Sequence, residues 1–411
     1  MKMQKVLPFK EIFKQYPNLI EKLEQNGFKT PTPIQYKALD YALSTQDLLI
    51  QAPTGSGKTL IYGIKMIIEE ENSSSNNDLI KLKYLILAPN TLLVEQIQTM
   101  ISNIIPQNSQ FSITTLKKNV QNSSFTAVAK NTTCLVTTPK ILCEQLQTYK
   151  EQTDQESDIN LLENIVSLIL DEADILLTKE YLENLEDIID SLPQNRQDLL
   201  FSATYTREMG LTAKEYLHNP KVIELPSLVQ KSQLSQLIYI VENNQKLSLL
   251  HHTLKNLQFG LLLIFVNRKE HIRQVEAVVK ELGFNFKSVS STTSEFERNR
   301  TIKEFRELKL DILIATDLLS RGVDVPQISH IINYSIPQDH TKYVHRIGRA
   351  TRHTNKGTTI NFISKEDVEK FKQVLQEYKI EYKIKQTPHL ENLPKSILKR
   401  IESKIQHKKK K

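Results

Sequence analysis

The sequence predicts two tandem α/β domains, each a mostly parallel sheet flanked by helices, followed by a basic C-terminal tail. Three observations lead to this expectation. Short β-branched and Leu-rich runs alternate with helical patterns along most of the chain. These runs are continuous rather than alternating, as in strands buried on both faces. A polar, proline-containing stretch, Glu224–Gln236, divides them into two sets. The first set is Leu48–Ala52, Tyr84–Ala88, Cys134–Thr137, Val166–Asp171 and Leu199–Ala203. The second is Leu261–Val266, Ile312–Thr316, Ile331–Ser335 and Thr359–Ile363. Helical patterns between consecutive runs imply βαβ units, and hence parallel sheets. The expected plan is a lead helix over 1–27, a first domain over 28–225, a linker over 226–236, a second domain over 237–386 and a tail over 387–411. Glu69–Asp78 and Lys150–Asn160 are expected to be polar loops.

Composition narrows the class. With 39% hydrophobic and 25% charged residues the 411-residue chain is globular rather than disordered. No apolar run approaches the roughly 20 residues that span a bilayer, so no membrane segment is expected. The start lacks the apolar core of a secretory signal and the Arg and Ser bias of a transit peptide. Cys134 and Cys143 are the only cysteines, too few for a disulfide scaffold and without the C-x2-C spacing of a zinc site. An intracellular, reducing compartment follows as the expectation: nucleus, nucleolus or cytoplasm, with the basic start also compatible with a mitochondrion. The formal charge is +7, yet residues 387–411 hold seven Lys and one Arg against two Glu, which leaves about +1 for the rest. The excess is thus a property of the tail, either a solvated end, a phosphate-contacting arm or a localisation signal.

The chemistry begins at Ala52-Pro53-Thr54-Gly55-Ser56-Gly57-Lys58-Thr59, which follows a strand and opens the helical pattern Leu60–Glu70. Glycines let backbone N–H groups turn inward around a polyphosphate, and the helix N-terminus adds positive potential. In such a loop Lys58 reaches the β- and γ-phosphates and the Thr59 hydroxyl ligates magnesium. The buried run Ile165–Leu170 leads into Asp171-Glu172-Ala173-Asp174. A carboxylate at a strand end beside a phosphate loop is where an ATPase holds magnesium, so Asp171 is assigned to the metal and Glu172 to the attacking water. Further on, His345-Arg-Ile-Gly-Arg-Ala-Thr-Arg352 sets Arg346, Arg349 and Arg352 at steps of three. That spacing on a helix gathers them on one face, from which they would meet the nucleotide as arginine fingers.

Together these elements resemble the DEAD-box RNA helicases of superfamily 2, and the likeness covers about residues 9–365. Their fold implies two RecA-like domains with ATP and Mg2+ held at the junction. Gly27-Phe-Lys-Thr-Pro-Thr-Pro-Ile-Gln35 resembles the Q motif, which implies that Gln35 bonds the adenine and Phe28 packs on it, with Phe9 as the upstream aromatic. Ser202-Ala-Thr204 resembles the motif that couples hydrolysis to RNA handling, a role the resemblance extends to Asp174 and His345. Leu263–Arg268 resembles motif IV. Ala315–Asp324 resembles motif V, implying that Thr316 touches RNA phosphate while Gly322 and Asp324 approach the nucleotide. Pro89 and Thr138 stand at RNA-contacting positions.

Departures from the family pattern fall mainly on this RNA face. Thr91 and Leu92 stand where Arg and Glu are usual, and Lys140-Ile141 replaces Gly-Arg. No Gly-Gly lies between these segments, Lys117-Lys118 being the nearest candidate, and Glu295 replaces a glutamine three residues before Arg298. On the nucleotide side Thr351 replaces a glycine. Loss of one charge-assisted bond to phosphate costs about 1.5–3 kcal/mol. The implied function is RNA-stimulated ATP hydrolysis coupled to local duplex unwinding or ribonucleoprotein remodelling. The alternative is an ATP-gated assembly factor with weak or partner-dependent RNA binding. RNA is the expected partner, through its phosphate backbone, beside a protein or ribonucleoprotein activator; the chain is expected to act as a monomer, away from membranes.

Overall fold

A computed structural model describes all residues but 1–5, 54, 74–79, 117–124, 153–159, 205–206, 226–233, 291, 318–327, 338, 351–356, 379, 399 and 402–411. The chain divides into two compact units, Met1–Pro226 and Ser227–Lys411. Most of the expected linker lies outside the described residues, and its last three residues, from Leu234, already belong to a strand.

The first unit is built on a seven-stranded sheet: β1 (Leu48–Gln51), β2 (Tyr84–Leu87), β3 (Ile113–Thr115), β4 (Cys134–Thr137), β5 (Ser167–Asp171), β6 (Gln197–Ser202) and β7 (Lys221–Glu224). Its order is β3-β4-β2-β5-β6-β1-β7, with every pairing parallel. Successive strand residues enter opposite cores: Leu48 and Ile50 join one apolar cluster, Leu49 the other. A sheet covered by helices on both faces needs that pattern, which is why its strands read as unbroken apolar runs. The 1–27 lead holds two helices rather than one, Phe9–Ile12 and Pro17–Gln25. Phe9 pins the lead to the unit, its ring buried and its N–H bonded to Lys29 O at 3.0 Å. Two expected loops are shorter than predicted, since the helices Lys58–Asn72 and Pro139–Gln152 run into them.

The second unit repeats the plan with β8 (Leu234–Ile240), β9 (Leu261–Phe265), β10 (Phe286–Val289), β11 (Ile312–Ala315), β12 (Ile328–Asn333), β13 (Gly357–Ile363) and β14 (Lys383–Lys385). The order is β10-β11-β9-β12-β13-β8-β14, again parallel throughout.

The segment expected to be a tail from 387 is partly a component of this unit. Thr387 Oγ1 donates to Ile240 O at 2.8 Å, just beyond the β14–β8 pairing. Leu390, Leu393 and Ile401 pack on the second unit's core, and Ile397 is fully buried there, at 0% exposure. Glu281 accepts from both Ser396 and Arg400. Ile397→Ala should therefore cost about 2–4 kcal/mol of stability by denaturant unfolding. Ending the chain at Gln386 should cost more still, whereas ending it at Ile401 retains these contacts. Equal stabilities for chains ending at 386 and 401 would show the segment to be an ornament.

Candidate functional site

Because every strand of the first sheet runs the same way, the loops leaving their C-terminal ends gather along one edge. The in-register pairs Gln51↔Ser202 and Asp171↔Phe201 bring the ends of β1, β5 and β6 level with one another. The loop after β1 turns through Gly55 and Gly57, with φ of 78° and 90°, conformations that a Cβ would strain. It is gripped from behind by the helix Pro33–Ala42. Gln35 Nε2 donates to Gly57 O at 2.9 Å, Thr32 Oγ1 donates to Ser56 O at 2.8 Å, and Gln35 Oε1 accepts from Thr32 N–H at 2.8 Å in a capping box. A Cβ on Gly57 would come within 2.3 Å of Gln35 Nε2, so glycine is required there twice over. Gln35, read from the sequence as an adenine contact, is in this structure also the clasp of the loop. Phe28 is half-buried, packed against the same core.

Lys58 begins the helix Lys58–Asn72, and its ammonium donates to Ala52 O at 2.6 Å and Pro53 O at 3.1 Å. One turn on, Tyr62 donates to Asp171 Oδ2 at 2.7 Å, while Asp171 Oδ1 accepts from Glu172 N–H at 2.9 Å. Burial raises the Asp171 pKa above the ordinary carboxylate value, and the charge of Lys58 works in the opposite direction. A carboxylate in that condition is suited to a divalent cation, which would relieve its desolvation. Glu172 sits in the left-handed region at φ 53°. It is 6% exposed, and its Oε2 is buried with no hydrogen-bond partner among the described residues. A buried, unsatisfied carboxylate oxygen costs stability, and such costs are characteristic of working sites. Tyr62 was not foreseen, although its i+4 spacing from Lys58 aims it at the same strand ends.

The strand end of β6 is tied to this cluster. Thr204 Oγ1 donates to Asp174 Oδ2 at 2.6 Å, and Ser202 Oγ donates to Thr204 O at 2.5 Å. Asp174, Ser202 and Thr204 thus form one polar link between the carboxylate segment and the end of β6. Pro89 follows β2, and Thr138 follows β4 at the start of Pro139–Gln152. Of the residues that depart from the expected pattern beside them, Leu92 and Ile141 are buried and Thr91 is half-buried.

In the second unit Arg346 and Arg349 part company. Arg346 lies on the helix His340–Ile347 and is fully buried, at 0% exposure. Its guanidinium bonds Asp317, Asn333 Oδ1, Ser335 O and Asn267 Oδ1, and lies 4.8 Å from the Phe265 ring centroid. With its donors committed in this way it cannot serve as a finger, which corrects the reading of three arginines on one face. Arg349 is also buried, at 1% exposure, but falls beyond the helix end, in a turn where its N–H donates to Arg346 O at 3.1 Å. His345 is buried, and Thr316 N–H donates to Val289 O at 3.2 Å. Thr54, Lys117, Lys118, Gly322, Asp324, Thr351 and Arg352 lie outside the described residues.

Comparison with known proteins accords with this geometry. Residues 32–211 match the family model DEAD/DEAH box helicase, and residues 245–354 match Helicase conserved C-terminal domain. The chain is 30% identical over 361 residues to an ATP-dependent RNA helicase RhlB of Pseudomonas putida, covering 86% of this chain and 88% of that protein. It is 28% identical to an ATP-dependent RNA helicase CshA of Listeria monocytogenes, covering 84% of this chain but only 64% of the relative. The fold matches that of S. cerevisiae Dbp5 bound to RNA and ADP BeF3, with a TM-score of 0.77 at 24% identity, covering 94% of this chain and 97% of that one. The two parallel sheets are therefore tandem RecA-like domains, and the chain belongs to the DEAD-box helicase family.

Proposed function

We propose that the chain is an RNA-stimulated ATP hydrolase that couples ATP turnover to local RNA duplex unwinding or ribonucleoprotein remodelling. The observation that carries this reading is the cluster, at the C-terminal ends of the strands, of Lys58, Asp171 and a Glu172 Oε2 with no partner among the described residues. The loop from Ala52 through Pro53, Thr54, Gly55, Ser56 and Gly57 wraps the phosphates, and Lys58 exchanges its two carbonyl partners for phosphate oxygens. Thr59 and Asp171 would hold Mg2+, which would offset the charge on the phosphoryl oxygens. Glu172 orients and deprotonates the attacking water. Phe28 and the second Nε2 hydrogen of Gln35 read the adenine. From the second unit, Arg349 and Arg352 supply transition-state charge, and Gly322 and Asp324 approach the nucleotide, so that nucleotide binding closes the two units.

RNA is held through Pro89, Thr138 and Thr316, chiefly at phosphates and 2′-hydroxyls, and Asp174, Ser202, Thr204 and His345 transmit its presence. A second reading, a partner-activated assembly factor, draws on Thr91 and the buried Ile141, which stand where arginines are usual and leave fewer directional positive charges for RNA in the first unit. The test is ATPase activity against single-stranded RNA and DNA over a salt series, using the full chain and a chain ending at Ile401. The proposal expects stimulation by RNA exceeding that by DNA. If residues 402–411 contact phosphates, the salt slope falls on their removal. Absence of adenine nucleotide binding would sink both readings; stimulation only by a protein activator would favour the second.

A further inference from the structure

Behind the arginine-bearing segment of the second unit lies a closed circuit of buried polar groups. Arg346 Nη1 donates to Asn333 Oδ1 at 3.2 Å, and Asn333 Nδ2 donates to Asn361 Oδ1 at 2.8 Å. Asn361 Nδ2 donates to Gln236 Oε1 at 3.2 Å, and the same oxygen accepts from Tyr343 OH at 2.8 Å. Tyr343 and Arg346 sit one turn apart on the helix His340–Ile347, so the helix itself closes the ring. The other members come from three adjacent strands, β12, β13 and β8, and Asn333 and Asn361 are register partners. All five residues are buried, with the Phe265 ring against the guanidinium and Phe371 against Tyr343.

An apolar core would hold this helix against the sheet equally well, because exchanging both partners of a buried polar pair for apolar groups is close to neutral. A ring of directional bonds adds something else: it admits one rotation and one axial position of the helix. It also retains a cost, since Gln236 Nε2 is buried without a partner among the described residues. Two functional positions hang from it. On one side Arg346 holds Asp317, the residue after Thr316. On the other, the turn bearing Arg349 is bonded to Arg346 O.

We propose that Gln236, Asn333, Tyr343 and Asn361 are positioning residues for ATP hydrolysis, acting through Arg346 to fix Arg349 relative to Thr316. This rests on the roles given above to Arg349 and Thr316. None of the four touches substrate; they set where the finger stands, and displacements near 1 Å at such a group cost about 10²-fold in rate.

The test uses the full chain, thermal melting, affinity for a fluorescent ATP analogue, and single-turnover hydrolysis of bound ATP with and without single-stranded RNA. A single-turnover rate constant does not depend on the folded fraction, so it separates positioning from stability. Asn333→Leu alone strands the Asn361 amide and should lower the melting temperature. Adding Asn361→Leu should restore most of it, while the rate constant stays about tenfold or more below the parent's and nucleotide affinity remains within about twofold. Tyr343→Phe keeps the ring packed on Phe371 and removes only the hydroxyl; it should slow hydrolysis at near-parental affinity. Recovery of rate together with stability in the double variant overturns the proposal. If the double variant is not stable, Tyr343→Phe decides, and a parental rate constant there overturns it equally. A parent unresponsive to RNA refutes the proposed function instead, and the RNA-free rate constants then judge the ring; a parent that hydrolyses no ATP refutes both.

Discussion

Glu172→Gln should slow single-turnover ATP hydrolysis by about 10²–10⁴-fold while leaving ATP affinity within about twofold. The glutamine keeps the side chain's size and shape but removes the basic oxygen. The backbone at Glu172 turns into the left-handed region, and its Oε2 is buried without a hydrogen-bond partner among the described residues. Asp171, one residue earlier, is engaged by Tyr62 and by the Glu172 N–H, so the two adjacent carboxylates have different surroundings and are given different tasks. The substitution also replaces a buried carboxylate by a neutral amide, so the melting temperature should not fall. A variant that turned over ATP at the parental rate would remove Glu172 from the water-activating role. One that lost ATP affinity in step with rate would move it to a binding role.

The same physics explains which parts of the fold were readable beforehand. Strands such as β5 and β9 have every residue buried; β9 spells the apolar run LLLIF, and β5, SLILD, is apolar between its two ends. The strands that went unread lie at or beside the sheet edges. β3 reads ITT, β7 KVIE, β10 FKSV and β14 KIK, with most side chains half-buried or exposed, while β8 alternates buried with more exposed positions. An edge strand pairs on one side only and needs little apolar character, so its backbone bonding leaves no signal in composition. In the segment after 386, the charge count masked an apolar spacing, Leu390, Leu393, Ile397 and Ile401, that docks on the second core. At the site, the residue types and their order were legible because they sit on loops at strand ends. Their partners were not: Tyr62 and the Gln35 clasp depend on which helix faces which strand end, which no local spacing specifies fully.

The clearest case is the pair Arg346 and Arg349, identical in type and three residues apart. Arg349→Ala should slow single-turnover hydrolysis by about 10³-fold or more, the scale of an arginine finger; because Arg349 is itself buried, at 1% exposure, some stability should be lost with it, but less than at Arg346. Arg346→Ala should do the reverse in order of severity, destabilising the second unit by about 3–5 kcal/mol. It leaves Asp317 and the carbonyl oxygens of Asn267, Asn333 and Ser335 without the guanidinium that joins them. It also removes the cation from above the Phe265 ring and opens a cavity in the polar layer beneath β12. Lysine should rescue neither: one ammonium lacks the planar fork that spans Asp317, Asn333 and Asn267 at once, and offers a point charge in place of a bidentate one. Denaturant unfolding set beside single-turnover rates for the two alanine variants separates these roles. Equal destabilisation by both would mean that Arg349 belongs to the core with Arg346. Equal loss of rate without destabilisation would return Arg346 to the nucleotide, with a conformational change large enough to free a buried guanidinium from all of its partners.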